Sequence, residues 1–209
     1  MAYDDEEQLE AIRDWWRRNG RVVVIAVVLA IAAVLGWQQW QAWQSRQAAA
    51  AASDYSAVLA AINEDRAEAA GNRLEALRDA HAGSPYAVLG TLAVATAEMA
   101  EGRAEAAADW LGWVSANRPD SPMHDLARLR QAEALMAAQA DDQALALLET
   151  VPEGPLRSRF LELRGDLHAA RGNREAAIAD YQGALEQVRG ERRALVEVKL
   201  FDLGGAPAS

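Results

Sequence analysis

The chain has 209 residues, a formal charge of −10 and no cysteine. Phosphate affinity comes from concentrated Lys and Arg, so this acidic balance excludes a general nucleic-acid binder; the missing thiols exclude a disulfide framework, a cysteine nucleophile and a Cys-ligated zinc site. Hydrophobic residues make up 51% of the chain and aromatics only 6%, with alanine carrying much of the hydrophobic share, which favours close-packed helices over strands.

The N-terminal stretch YDDEEQLEAIRDWWRRNG reads as an amphipathic helix. Leu9, Ile12 and Trp16 recur at spacings of three and four, and acids in the first turn with arginines in the last complement the helix dipole. Asn19-Gly20 is the expected stop. Such a helix either steadies an adjoining membrane segment or docks a cytoplasmic partner.

No charge then occurs between Arg21 and Arg46. Val22 to Leu35 is apolar throughout and, extended to Trp43, the run spans about 33 Å as a helix, enough to cross a bilayer core. Val22, Ile25, Leu29 and Leu35 belong to its apolar part. Trp37, Trp40 and Trp43 face Trp15 and Trp16 across it in the manner of two interfacial belts. Three readings compete: a core helix of a soluble domain, a cleaved export signal and a permanent anchor. A core helix seldom runs so far without a polar residue, and a cleavable signal needs small residues where Trp37, Trp40 and Trp43 stand. An uncleaved signal anchor is the expectation. Arg13, Arg17, Arg18 and Arg21 precede it, whereas Arg46 is the sole basic residue between it and Arg66, which keeps the N-terminus cytoplasmic.

Beyond the anchor the helix is expected to continue to about Ile62. Ser84-Pro85 and Ser121-Pro122 supply N-cap and first-turn residues for two further helices, and Pro152 to Pro155 form another separator. The stretch GNREAAIADYQGAL sets a template: Gly172 in a turn, then Ala177, Tyr181 and Ala184 at steps of five, four and three. The same steps lead from Gly102 to Ala107, Leu111 and Val114, and from Gln139 to Ala144, Leu148 and Val151. The turn positions are about 37 and 33 residues apart, near the roughly 34-residue tetratricopeptide period. Ala95, Ala132 and Gly165 stand seven before each turn, the small slot that lets paired helices approach. Glu64 to Ala82 is expected to be the second helix of a degenerate leading unit, with Leu77 and Ala80 in the matching slots. In the last helix, Leu195, Val198 and Phe201 are expected to face inward. The fold class is all-α: a single N-terminal transmembrane helix followed by a tetratricopeptide-like helical-hairpin solenoid. The segments are 1–21 (cytoplasmic), 22–43 (anchor), 44–84 (stalk and leading unit) and 85–209 (repeats with a capping helix).

No catalytic pattern emerges. His81, His124 and His168 are far apart, and Glu98, Glu101, Glu105, Asp109, Asp141, Asp142, Asp166 and Asp180 read as a solvated face shared with Arg103, Arg128, Arg164 and Arg171. No cofactor or metal is expected. Trp110 and Trp113, three residues apart, are either core or part of a partner surface that would include Arg128.

The N-terminal block from Tyr-acid-acid to Asn-Gly-basic, the anchor followed by Gly36-Trp37, the degenerate repeats and the closing VEVKLFDLG together resemble the YfgM family of ancillary SecYEG translocon subunits, over nearly all of residues 3 to 204. The resemblance implies a bacterial inner-membrane protein with a periplasmic repeat domain. Its implied partners are the SecYEG translocon, a membrane-anchored prolyl-isomerase-like chaperone and exported clients, with a cytoplasmic stress-response regulator at the N-terminal segment; it brings no catalytic residues. The alternative is a membrane-tethered adapter for envelope assembly, cell division or stress-response regulation that makes no translocon contact.

Overall fold

A computed structural model describes the backbone of residues 2–206 and the side chains of residues 13 and 15–206. Among the described residues the chain is all-helical: α1 (Ala2–Asn63), α2 (Ala67–His81), α3 (Pro85–Ala100), α4 (Ala104–Asn117), α5 (His124–Ala137), α6 (Asp141–Leu148), α7 (Arg157–Ala170), α8 (Arg174–Leu185) and α9 (Glu191–Asp202). Two compact units divide the chain at residue 50.

The first unit is the N-terminal part of α1. The Leu9 and Ile12 side chains and the acids Asp4 to Glu7 lie outside the described residues. Asn19-Gly20 does not stop the helix, which runs through it without a break. A glycine ends a helix by adopting positive φ, and Gly20 is not among the positive-φ residues. Val22, Ile25, Leu29, Leu35, Trp37 and Trp43 are all more than half exposed. Only 6% of the apolar span is buried within the chain, whereas the core helix of a soluble domain is mostly buried.

The second unit, residues 51–209, is a stack of helical hairpins. Four turn residues share a left-handed backbone: Asp65 (φ 53°), Gly102 (76°), Gln139 (62°) and Gly172 (74°). After each, the next amide donates to the carbonyl five residues back: Arg66 to Ala61, Arg103 to Glu98, Ala140 to Leu135 and Asn173 to His168, at 2.8–3.0 Å. This bond closes the open end of the preceding helix. The leading unit is therefore as regular as the rest. Counting five, four and three from Asp65 gives Ala70, Leu74 and Leu77, all buried, whereas the expected Ala80 is exposed. An aspartate in the glycine position, with Val58 in the small slot before it, hid the register. Seven before each turn, Val58, Ala95, Ala132 and Gly165 are buried where the paired helices meet.

Ala107, Leu111, Val114, Ala144, Leu148, Ala177, Tyr181 and Ala184 fill the second-helix slots and are each at most 2% exposed. Val151 departs from the template, because α6 ends at Leu148 and leaves it half-buried in the connection. Ser84 caps α3, accepting a hydrogen bond from the Tyr86 amide at 3.2 Å. Ser121 accepts from the Met123 amide at the same distance, but α5 starts only at His124, so Ser121-Pro122 forms a turn ahead of the helix and does not cap it.

Arginines satisfy carbonyls that helix ends leave open. Arg118 donates to the Ala82 and Ser84 carbonyls at 2.6 and 3.0 Å, and Arg128 to those of Leu147 and Thr150 at 2.7 and 2.8 Å. Arg193 reaches the Leu185 carbonyl at 3.0 Å.

The closing helix turns a different face inward. Val196 and Leu200 are fully buried against α8, while Leu195, Val198 and Phe201 are exposed. Leu200 stands four before Gly204, as Ala61 and Leu135 stand four before their turn residues, and that row faces the preceding helices.

A Cβ at Gly165 would lie 2.7 Å from the Tyr181 ring, whose hydroxyl is fixed to Asp166 at 2.9 Å. Overpacking costs about 1–3 kcal/mol, against about 1 kcal/mol gained in helix propensity. Gly165→Ala is thus expected to destabilise the repeat unit in chemical denaturation; a stabilised variant would show that Tyr181 can yield.

Candidate functional site

Between α3 and α5, the first helices of two consecutive hairpins, lies a groove of about 340 Å³. Leu92, Thr96 and Met99 form one wall, Leu126, Arg130 and Glu133 the other, and Ala95 and Leu111 the floor. The floor is apolar because the small residue at the Ala95 slot brings Leu111 close behind it. Met99 is exposed there, and a thioether on three rotatable bonds adapts to differing guests.

One wall opens onto a ladder of charges. Arg130 pairs with Glu133 at 2.8 Å, Glu133 with Arg159 at 2.8 Å, and Arg159 with Glu162 at 2.7 Å. Lys199, the chain's sole lysine, reaches from α9 to Glu162 at 2.9 Å and to Asp166 at 2.8 Å. Burial alone would raise the Glu162 carboxyl, but hydrogen bonds from Lys199 and Arg159 outweigh it and hold the group below the ordinary carboxylate range. The expected solvated face is thus partly internal. Asp180 is 6% exposed and doubly hydrogen-bonded by Arg164 at 2.9 and 2.5 Å, and Glu98 is buried against Arg103. Glu162, Arg159 and Lys199 carry no motif, and only the hairpin register brings them together.

Trp110 and Trp113 are half-buried on α4 and enclose Arg78, whose guanidinium carbon lies 4.8 and 4.5 Å from their rings. Gly71 leaves room for the Trp110 ring, 3.2 Å from where its Cβ would stand. Arg78 donates to the Thr91 hydroxyl at 3.2 and 2.8 Å and to the Trp110 carbonyl at 3.0 Å. Desolvation by burial, partly offset by Glu75, lowers its pKa to about 10. The pair thus ties α2, α3 and α4 together. Arg128, placed by the sequence beside these indoles, is held by the Leu147 and Thr150 carbonyls and Asp125 and lies 5.1 Å over the Phe160 ring, so its guanidinium is engaged within the chain. Arg78→Met keeps the apolar stem and removes three hydrogen bonds and the ring contacts. About 3 kcal/mol of stability is expected to go with it, and the tryptophan emission to shift red. Unchanged unfolding and emission would contradict the clamp.

Arg13, Arg17, Arg18 and Arg21 are exposed along α1 before the apolar span. Among the described residues no group of three or more His, Asp or Glu side chains is placed to hold a metal ion.

Stacked hairpins with an apolar groove bordered by charge define a helical-repeat scaffold. Residues 13–205 match the family model described as a tetratricopeptide repeat-like domain, and the chain belongs to that family. The relatives are those to which the N-terminal block and anchor pointed. A Neisseria gonorrhoeae protein named ancillary SecYEG translocon subunit is 28% identical over 207 residues, covering 96% of this chain and 97% of its own. Proteins of the same name from Aggregatibacter actinomycetemcomitans and Haemophilus influenzae are 29% and 25% identical, covering 97% of this chain and 100% of theirs. Among solved structures, a kinesin light chain candidate from Podosopora anserina with nearly identical TPR-like repeats superposes with a TM-score of 0.53 at 19% identity, over 72% of this chain and 83% of its own. That likeness shows the fold.

Proposed function

We propose that the protein is a non-enzymatic adapter of the SecYEG translocon, held in the bacterial inner membrane by residues 22–43, with the N-terminus cytoplasmic and the repeats in the periplasm. The supporting observation is end-to-end similarity, anchor included, to proteins named ancillary SecYEG translocon subunits. In this reading the groove between α3 and α5 receives segments of a membrane-anchored prolyl-isomerase-like chaperone or of emerging exported chains. An apolar floor beside a charged wall suits amphipathic segments, because the floor rewards a buried apolar side chain and Arg130 with Glu133 fixes its polar neighbours. The cytoplasmic segment before Val22 would meet the stress-response regulator.

A photo-crosslinker at Met99, in the groove, is expected to capture translocon or chaperone subunits in intact cells, and one at the exposed Glu175 is not. Equal capture from both positions would remove the groove from the account. Protease added outside spheroplasts is expected to digest the body from Arg66 onward and spare Arg13.

A further inference from the structure

We infer that the N-terminal end of the membrane segment carries a binding groove for one anionic glycerophospholipid, formed by Trp16, Arg17, Gly20, Arg21, Val24 and Ile25. The inference rests on reading residues 22–43 as a membrane anchor.

These six residues line an open depression of about 470 Å³ along α1. They are two adjacent rows at helical spacing of four: Trp16, Gly20 and Val24 form one, Arg17, Arg21 and Ile25 the other. A helix surface is normally convex between such rows. Here Gly20 lets the Trp16 indole pack down onto the backbone, with its Nε1 3.3 Å from where a Gly20 Cβ would stand; Gly20 is buried beneath the ring, and the depression is bounded by that ring, Arg17, Arg21, Val24 and Ile25. Glycine disfavours the interior of a helix, so its presence in an unbroken one asks for a gain from close approach.

The chemistry along the groove follows that of a lipid. Arg17 and Arg21 are exposed like charges one turn apart, a pairing that destabilises a bare helix. A phosphodiester between them offsets that repulsion, since guanidinium forks match phosphate oxygens in charge and geometry. One turn deeper, Val24 and Ile25 present apolar surface to the first acyl carbons. From Arg17 to Ile25 is about 12 Å along the axis. A peptide carboxylate would satisfy the arginines but would leave Val24 and Ile25, which lie within the apolar span, without a matching tail.

The test uses the full chain in mild detergent, titrated with phosphatidylglycerol or phosphatidylcholine and read by native mass spectrometry. Phosphatidylglycerol is expected to bind at least tenfold more tightly. Arg17→Gln and Arg21→Gln should each reduce that preference roughly fivefold. Arg13→Gln, which removes the same charge outside the groove, should leave it nearly unchanged. Gly20→Leu keeps every charge and favours the helix, yet pushes the Trp16 indole off its seat into the depression, and should reduce the preference as far as Arg21→Gln does. An unchanged preference in Gly20→Leu, or an equal loss in Arg13→Gln, would overturn the groove in favour of diffuse charge attraction. Co-flotation with liposomes separates the two levels: a wild-type chain that floats without lipid preference sinks the groove alone, and one that fails to float sinks the anchor and the groove together.

Discussion

Phe160→Ala is expected to destabilise the repeat unit by about 3–5 kcal/mol, the range for truncating a buried aromatic. Phe160 is the largest fully buried side chain and stands at the start of α7. It belongs to the cluster that runs through α3, α4, α5 and α6, whereas its neighbour Leu161 packs into the cluster of α8 and α9. Its loss therefore weakens the interface on which the last hairpin is stacked. In a repeat array stability is a sum of unit and interface contributions, so unfolding should become two-step, with residues 157–206 exchanging amide hydrogens first. Arg128, stacked over the same ring, would lose that contact as well. A single cooperative transition displaced by under 1 kcal/mol would show that the site can collapse around the missing ring.

Lys199→Met is expected to cost about 2–3 kcal/mol and to alter the response to acid. Glu162 is 3% exposed, and removing one partner of a buried carboxylate leaves charge poorly compensated; Arg159 remains, which keeps the loss below that of a fully orphaned ion. The folded carboxyl titrates below its unfolded value, so the network's contribution is complete above the unfolded value of about 4.3 and disappears as pH falls through the lower folded one. Wild-type protein should lose stability on acidification below that point, and Glu162→Gln should flatten this part of the profile. Denaturation midpoints between about pH 2 and 7 measure it; parallel profiles for wild type and Glu162→Gln would contradict the assignment.

The hairpin period was legible in the sequence where turn glycines marked it, at Gly102 and Gly172, and where small residues preceded them, at Ala95 and Gly165. At Gln139, a non-glycine residue in the left-handed region, Ala132 before it and Ala144 and Leu148 after it kept the register readable; at Asp65 the small slot before the turn holds Val58, and the register was obscured. The inward face of α9 was misread for a related reason: Leu195, Val198 and Phe201 form a plausible stripe by spacing, and only stacking on α8 selects Val196 and Leu200. Charges were the least legible. Whether Glu162 is solvated or buried depends on Lys199 of α9, which is distant in sequence and adjacent only once the last helix folds back. Arg78 escaped notice because its partners are two rings and a hydroxyl, with no carboxylate to signal a pair. The apolar span was the clearest signal, since twenty-odd uncharged residues need no tertiary contact to be recognised.

Affinity purification of the full chain from membranes in mild detergent, with its partners identified, tests the central claim most directly. SecYEG subunits together with a membrane-anchored periplasmic chaperone should be recovered, and lost when the repeats from residue 51 are removed. Recovery of division or outer-membrane assembly factors without any SecYEG subunit would contradict it.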